Sequence, residues 1–169
     1  MSRGFDARAA ARALSLAQRV AVIGSPGAGK STVARALTEA LDIPVHHLDR
    51  LYWRPGWEPT PLEEWRQLQA ALVAAPRWII DGNYGKTLGL RLARAQVVLF
   101  LDLPSALCLV RVVLRGVAQF GQVRSDMGEG CKEQLDLGFL HYTARFRRDV
   151  RPDVLAMRAE APPGLQHFP

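Results

Sequence analysis

The chain has 169 residues, of which 49% are apolar and 22% charged, and its formal net charge is +6. This length suits one domain with a proper core, and the composition excludes a disordered chain. No apolar run reaches the ~18 residues of a membrane-spanning helix, no signal-peptide pattern is present, and the two cysteines show neither CxxC spacing nor a nearby histidine cluster. We expect one cytoplasmic domain over 1–169, with no membrane partner, disulfide framework or zinc site.

Arginine supplies nearly all of the positive charge, since the lysines are Lys30, Lys86 and Lys132. One interpretation is that the base composition of the genome raises the arginine content without a functional cause. Alternatively, the guanidinium groups form a surface that binds phosphate, because their planar fork matches phosphate oxygens bidentately. The positions of the arginines decide between these two interpretations.

Helical and extended patterns alternate along the chain. Residues 1–18 predict a helical extension before the first strand, VAVIG, whose continuous apolar run is typical of a parallel strand covered on both faces. A glycine-rich turn and a helix over 30–41 follow, and Pro44 leads into a second strand, 45–48. Further helices are predicted at 62–73, 105–117 and 133–150, and further strands at 78–81, 97–101 and 165–168. The alternation predicts an α/β fold with a parallel sheet whose last strand is short.

The segment after the first strand fits the phosphate-loop motif G-x-x-x-x-G-K-[ST] at every fixed position, between a predicted strand and a predicted helix. Glycines let the backbone turn its N–H groups toward an anion, and the helix N-terminus adds positive potential. Lys30 is expected to reach the β- and γ-phosphates, and Ser31 to bring its hydroxyl to magnesium, so we expect ATP with Mg²⁺. The predicted nucleotide-binding residues are Ser25, Pro26, Gly27, Ala28, Gly29, Lys30, Ser31 and Thr32.

Further along the chain, the phrase WIIDGNYGKT, in which Asp81 ends a strand, resembles the D-G-F-P-R-T signature of adenylate kinases. More of the chain is similar to a bacterial subgroup of adenylate-kinase-like P-loop proteins, labelled DNA topology modulation or FlaR-related. The similar stretches span roughly residues 19 to 150: RVAVIGSPGAGKST, HHLDRLYWRPGWEPTP, WIIDGNYGKTLGLRLARA, LFLDLP and the region around Asp126 and Met127. The run LDRLYWRPGW is fairly specific.

The resemblance implies a three-layer α/β/α P-loop sandwich with a five-stranded parallel sheet, an acceptor-binding region over 49–76 and a mobile lid over 118–131. It implies that Asp81 holds a magnesium water, with a turn or helix cap as the alternative. Arg111 and Arg115 lie four apart on one helical face and match a lid arginine pair, one packing on the base and one on the phosphates; solvated arginines are the alternative. Arg124 is expected to close onto the transferring phosphoryl group.

Two interpretations remain open for the acceptor. Asp49 follows the second strand, where an aspartate can accept the proton of a hydroxyl acceptor. Lys86, Arg91 and Arg94 instead favour an anionic acceptor such as a nucleoside monophosphate, although Lys86 stands where relatives carry arginine and offers only a point charge. Aromatic residues here could stack a ring, although aromatics more often simply pack. The candidate acceptor-binding residues are Asp49, Tyr52, Trp53, Trp57, Asn83, Lys86 and Arg91.

These features favour a kinase that transfers the γ-phosphoryl group of ATP to a nucleotide-like or hydroxylated metabolite. The candidate catalytic residues are Lys30, Arg111, Arg115, Arg124 and Asp49, with Arg111 also on the nucleotide and Ser31 and Asp81 at the metal. An ATP-dependent nucleic-acid-associated regulator is the alternative, although the chain lacks a lysine-rich stripe or a helix-turn-helix phrase. A degenerate P-loop domain that signals by shape is a third. The short last strand leaves an edge that a second subunit could pair with, so we also consider a homo-oligomer.

Overall fold

The computed structural model describes residues 6–161 and 164–168. Helices and strands alternate through most of this range. They are α1 (Ala7–Leu16), β1 (Arg19–Gly24), α2 (Lys30–Leu41), β2 (Val45–His47), α3 (Leu48–Tyr52), β3 (Trp53–Arg54), β4 (Glu58–Pro59), α4 (Leu62–Ala74), β5 (Trp78–Asp81), α5 (Gly85–Leu92), β6 (Val97–Leu101), α6 (Ser105–Ala118), α7 (Leu137–Asp149), α8 (Arg151–Ala159) and β7 (Gln166–Phe168).

Five of the strands form one parallel sheet in the order β2-β5-β1-β6-β7, with β1 in the centre. Its two faces bury different side chains of β1: Ala21 and Ile23 pack on one side, and Val20 and Val22 on the other. The continuous apolar run of β1 follows from this double coverage. The result is the predicted three-layer sandwich, and β7, at the sheet edge, pairs with β6 over three residues.

One sequence prediction differs at the end of β2. This strand stops at His47, and the short helix α3 follows at once, so that Asp49 lies in a first helical turn instead of at a strand end. The chain then forms the small antiparallel hairpin β3–β4. Both elements are too short to produce a hydrophobic period of their own, and this explains why the sequence pattern does not predict them.

The helix predicted over 133–150 begins only at Leu137. The Asp136 side chain accepts a hydrogen bond from the Phe139 backbone N–H at 2.6 Å and caps α7 there. Residues 119–136, which we name the α6–α7 segment, fold back on themselves through a bridge between Val123 and Lys132. Glu133 donates its backbone N–H to the Gln122 carbonyl at 2.7 Å. The segment therefore has a defined course.

The α6–α7 segment packs against the hairpin that follows α3. The Cys131 thiol lies 3.3 Å from the Arg54 carbonyl oxygen, and the Trp57 indole N–H donates to the Lys132 carbonyl at 3.2 Å. A Cβ atom added to Gly128 would lie 2.1 Å from the Trp53 carbonyl oxygen, so the two backbones meet closely there. Among the helices in the described ranges, none combines the length and apolar character needed to cross a bilayer.

Candidate functional site

A cleft with a cavity of about 940 Å³ opens beyond the carboxyl ends of β1 and β5. Its walls come from the phosphate loop (residues 24–31), the turns after β2 and β5, helix α6, the α6–α7 segment and α7. Crevices outside the carboxyl ends of parallel strands are the usual ligand sites of open α/β sheets. We call its two sides the loop end, around residues 26–32, and the Asp49 end.

The phosphate loop has the backbone shape that its glycines allow. Gly27 and Gly29 have φ angles of +76° and +96°, and a Cβ atom on Gly27 would lie 2.5 Å from the Cys108 carbonyl oxygen. The Lys30 ammonium donates to the Ser25 carbonyl at 3.0 Å. Of the predicted nucleotide-binding residues, Pro26, Gly27, Gly29, Lys30, Ser31 and Thr32 line the cleft, whereas Ser25 and Ala28 are buried behind it.

Asn83 ties the turn after β5 to the start of the phosphate loop. Its side-chain amide donates to the Gly24 carbonyl at 2.6 Å, and its amide oxygen accepts from the Gly24 N–H at 2.9 Å. Asn83 lines the cleft, as predicted for an acceptor-binding residue. However, both polar atoms of the Asn83 side chain are hydrogen-bonded to the loop. In this structure Asn83 therefore holds the phosphate loop in place.

Asp81 ends β5 beneath the cleft and is 4% exposed. One of its carboxylate oxygens lies 2.9 Å from Nδ1 of His47, while the other is buried without a hydrogen-bond partner among the described residues. His47 and Asp81 meet because β2 and β5 are neighbours in the sheet with these two residues in register. The sequence does not predict this contact, since strand order is not visible in a hydrophobic pattern.

Asp49 projects into the cleft from α3 and accepts a hydrogen bond from the Tyr84 hydroxyl at 2.6 Å. Although part of Asp49 is open to the cleft, crowding by surrounding protein desolvates its carboxylate and raises the pKa above the ordinary value, against the opposing effects of Tyr84, Lys30 and Arg124. Burial, together with the Asp49 charge, raises the pKa of Tyr84. Tyr84 therefore stays protonated and donates to Asp49.

The three predicted catalytic arginines, Arg111, Arg115 and Arg124, all line the cleft, and two of them belong to an ion-pair network. Arg111 lies exposed on α6, while Arg115 and Arg124 are partly buried. Glu133, a buried residue that sequence reasoning missed, lies 3.5 Å from the Arg115 guanidinium and 3.3 Å from that of Arg124. Glu133 thus holds both arginines through one carboxylate. A single acidic residue in a polar segment carries no sequence signal for this role.

Asp126 joins this network from the same segment. Its carboxylate lies 3.3 Å from the Arg124 guanidinium and close to the Ser31 hydroxyl. Burial opposes ionisation of Asp126, but the Arg124 charge and the hydrogen bond from Ser31 outweigh it and hold the pKa below its ordinary value. The α6–α7 segment therefore places a charged carboxylate beside the phosphate loop.

Arg91 is not a cleft residue, contrary to the sequence prediction. Its side chain is fully buried, and its guanidinium donates to the backbone carbonyls of Gly82, Asn83 and Tyr84. These carbonyls belong to the turn after β5. Arg91 therefore stabilises this turn from behind and cannot contact an acceptor.

Three other predicted acceptor residues also lie outside the cleft. Tyr52 packs into the apolar core with its ring 4.7 Å from Tyr84 and 5.0 Å from Trp65. Trp57 uses its indole N–H to dock the α6–α7 segment. Lys86 is exposed on a second cavity of about 620 Å³ between α5 and α8. Of the three predicted aromatics, Trp53 is the one that lines the cleft.

The structure adds three aromatic residues that the sequence reasoning did not select. Tyr84, Phe139 and Tyr142 line the Asp49 end of the cleft. The Phe139 and Tyr142 rings stack with their centroids 6.5 Å apart, and the Tyr142 hydroxyl faces the Asn83 side chain. Phe139 and Tyr142 stand on α7, about sixty residues beyond β5, so only the tertiary fold brings them to this site.

Comparison with known proteins supports the fold. No family model and no characterised protein sequence matches the chain. A solved structure of shikimate kinase from Acinetobacter baumannii in complex with shikimate superposes with a TM-score of 0.53 and 19% sequence identity, covering 86% of this chain and 83% of that one. Likeness at this identity speaks to the fold, and it confirms the predicted P-loop α/β/α sandwich, of the kind found in P-loop kinases. It does not identify the topology-modulation subgroup.

Proposed function

We propose that the protein is an ATP-dependent small-molecule kinase that phosphorylates a hydroxyl group. The observation that carries this proposal is the common cleft: the phosphate loop and the Asp49 carboxylate line the same cavity, and Lys30 lies near enough to Asp49 to lower its pKa. Phosphoryl transfer needs little covalent chemistry from the protein, so positioning and electrostatic stabilisation supply most of the catalysis. A cleft with a phosphate cradle on one side and a proton acceptor on the other supports this reaction.

The residues at the loop end fit a nucleotide with its magnesium ion. A Cβ atom at Gly29 would meet open space in the cradle, and the Lys30 ammonium lies at the loop, where it donates to the Ser25 carbonyl. The buried, unpartnered oxygen of Asp81 and the Ser31 hydroxyl are hard oxygen ligands suited to Mg²⁺ or its bound water. A bound magnesium ion would neutralise charge on the phosphates. Lys30 would hold the β- and γ-phosphates.

At the Asp49 end, we assign the carboxylate as the proton acceptor. Asp49 takes the proton of the acceptor hydroxyl, whose oxygen forms a bond to the γ-phosphorus as the bond between that phosphorus and the β,γ-bridging oxygen breaks, and ADP leaves with the electron pair. The raised pKa of Asp49 makes its carboxylate a stronger base than an ordinary aspartate. The Tyr84 hydrogen bond orients it.

Arg115 and Arg124 would stabilise the charge that develops on the phosphoryl group. Arg111, exposed on α6, is free to contact the nucleotide. We propose that residues 118–131 act as a lid, since they carry Arg124 and pack over the cleft against the hairpin of the 49–76 region. The nucleic-acid-associated alternative receives no support from the fold likeness. Cytoplasmic location and homo-oligomerisation stay predictions.

The test is acceptor-dependent ADP release with purified protein. We expect Mg-ATP to bind with heat in calorimetry and to raise the melting temperature, since a ligand that binds the folded state stabilises it. A panel of hydroxylated metabolites should contain compounds that stimulate ADP release. Lys30→Met should abolish this stimulation, whereas Lys132→Met, a lysine outside the cleft lining, should retain it. Mg-ATP that neither binds nor turns over in the presence of any acceptor would refute the proposal.

A further inference from the structure

We infer that the acceptor carries no phosphate of its own: it is an uncharged, hydroxylated ring compound, of the nucleoside or sugar class, held among aromatic side chains beside Asp49. This inference rests on the proposed kinase function and decides between the two acceptor interpretations that the sequence left open. It follows from what lines the Asp49 end of the cleft and from what does not.

Aromatic rings surround the proposed proton acceptor. Tyr84 touches Asp49 through its hydroxyl, Tyr142 lies close enough to Asp49 to feel its charge, and Phe139 stacks beside Tyr142. Trp53 lines the same end from the β3 strand. Pockets lined by aromatic faces with a few fixed polar groups are typical of sites for flat or ring-shaped ligands, which stack on the rings while the polar groups set the orientation.

The three cations that the sequence offers for an acceptor phosphate, Lys86, Arg91 and Arg94, lie outside the cleft lining. Arg91 is buried against backbone carbonyls, and Lys86 lines the adjoining cavity between α5 and α8, not the cleft itself. Arg94 does not line the cleft either. None of the three residues that favoured a nucleoside monophosphate in the sequence therefore lines the cleft beside Asp49.

The arginines that do reach the cleft are committed. Arg115 and Arg124 share Glu133, and Arg124 also pairs with Asp126. Lys30, Arg35 and Arg111 lie in the phosphate loop and on α2 and α6, at the loop end, where a triphosphate needs them. Lys30 and Arg124 lie near enough to Asp49 to lower its pKa, but Lys30 belongs to the phosphate loop and Arg124 already pairs with Glu133 and Asp126.

An acceptor phosphate would therefore meet the Asp49 carboxylate without a free cation, because Lys30 serves the triphosphate and Arg124 already pairs with two carboxylates. A phosphate beside the Asp49 carboxylate would bring two negative charges together in a partly desolvated cleft, where they repel strongly. Burying a charge without a partner is also costly. An uncharged ring avoids both penalties, and its hydroxyl hydrogen-bonds to the Asp49 carboxylate. The same carboxylate that accepts the proton thus also selects against anionic acceptors.

Matched pairs of acceptors test the inference. Each pair holds one ring compound with and without phosphate, such as a nucleoside and its 5′-monophosphate or a hexose and its 6-phosphate, and the readouts are ADP release and the mass of the phosphorylated product. We expect kcat/KM to be at least about tenfold higher for the uncharged member of the preferred pair, which corresponds to about 1.4 kcal/mol. Equal rates within pairs, or a preference for the phosphorylated member, would overturn the inference and leave the kinase function standing.

Variants then locate the acceptor. Trp53→Ala and Phe139→Ala should each raise KM for the uncharged acceptor severalfold with KM for ATP unchanged, and either variant suffices if the other fails to fold. Lys86→Gln should change neither constant. A Lys86→Gln variant with weakened acceptor binding would contradict the inference. If Mg-ATP binds but no acceptor of either class stimulates turnover, both the inference and the kinase function are wrong.

Discussion

The loop end and the Asp49 end of the cleft are built by different means. The loop end comes from eight consecutive residues, and its shape resides in backbone angles such as those of Gly27 and Gly29. The Asp49 end is assembled from side chains on α3, β3, α7 and the turn after β5, which come together only through folding. A phosphate cradle can therefore be read in a short segment, whereas an acceptor pocket cannot.

The two ends also differ in charge. Positive groups gather at the loop end, where Lys30, Arg35 and Arg111 line the cleft, and the Asp49 end presents a carboxylate among aromatic rings. Glu133 pairs with Arg115 and Arg124, and Asp126 pairs with Arg124. This division lets single substitutions damage one end while leaving the other intact.

The largest effect is expected from Asp49→Asn, which should impair the Asp49 end of the cleft and leave the loop end intact. Asp49→Asn keeps the shape and the acceptor site for the Tyr84 hydrogen bond but removes the proton acceptor, so kcat should fall by about 10² or more. The Kd for Mg-ATP, measured by calorimetry, should stay within about twofold. Because the desolvated Asp49 carboxylate is disfavoured in the folded state, the melting temperature at pH 7 should not fall. Parallel losses in kcat and nucleotide affinity would contradict the division between the two ends.

The next largest effect is expected from Gly27→Ala, which should impair nucleotide binding at the loop end and leave the Asp49 end intact. Gly27→Ala places a Cβ atom against the Cys108 carbonyl at a left-handed φ angle, and that angle by itself costs about 1–2 kcal/mol. We expect a loss of Mg-ATP affinity of tenfold or more by calorimetry.

Gly29→Ala is the matched control for Gly27→Ala. Gly29 also has a positive φ angle, but its Cβ atom would meet open space, so it isolates the cost of the angle. Because that space is the phosphate cradle, the two variants are compared without nucleotide, where the fall in melting temperature should be smaller for Gly29→Ala than for Gly27→Ala. The reverse order would show that the contact with Cys108 does not shape the loop.

A smaller effect tests the link between the ends. Glu133→Gln leaves Arg115 and Arg124 without their shared carboxylate, so the two guanidiniums lose their fixed positions, and kcat should fall by about tenfold. Glu129→Gln, an exposed carboxylate of the same segment, is the control and should leave kcat unchanged. A merely structural role of Glu133 would lower the melting temperature with kcat preserved, so both are measured.

The smallest effect is expected from Tyr84→Phe, which tests the hydrogen bond to Asp49 at the Asp49 end of the cleft. Tyr84→Phe removes a hydrogen bond that lowers the pKa of Asp49, so this pKa should rise further. Transfer requires the carboxylate, and activity is lost as pH falls through its pKa. The acidic limb of the kcat/KM profile should therefore move to higher pH, with a loss of a few-fold near neutral pH. Tyr142→Phe, whose hydroxyl faces Asn83 instead, should leave the limb in place.

Much of the secondary structure was predictable from local patterns. Strands at 78–81 and 97–101 and the helix at 30–41 have the predicted bounds, because continuous apolar runs and a glycine-rich turn act over a few residues. The late start of α7 was not predicted, since Glu133 remains extended through a backbone hydrogen bond to Gln122. A tertiary contact there overrides a helical pattern.

The site residues that were predicted correctly depend on interactions within a short segment, whereas the others depend on partners far away along the chain. Lys30 and Ser31 stand in a motif whose geometry is local, and both line the cleft. Arg91 looked like a free cation, but its partners are carbonyls of a turn that exists only in the folded chain. His47 and Glu133 gained their roles from neighbours that strand order and segment packing supply.

The sequence by itself determined the α/β class and the phosphate loop, since alternation of apolar runs and a contiguous glycine motif need no distant partner. Only the tertiary structure decided which cations stay free and which aromatic rings meet Asp49. Burial and pairing govern the charge that a side chain can offer, and both depend on residues far away along the chain. The acceptor class is therefore a property of packing, whereas the phosphate cradle is a property of a short segment.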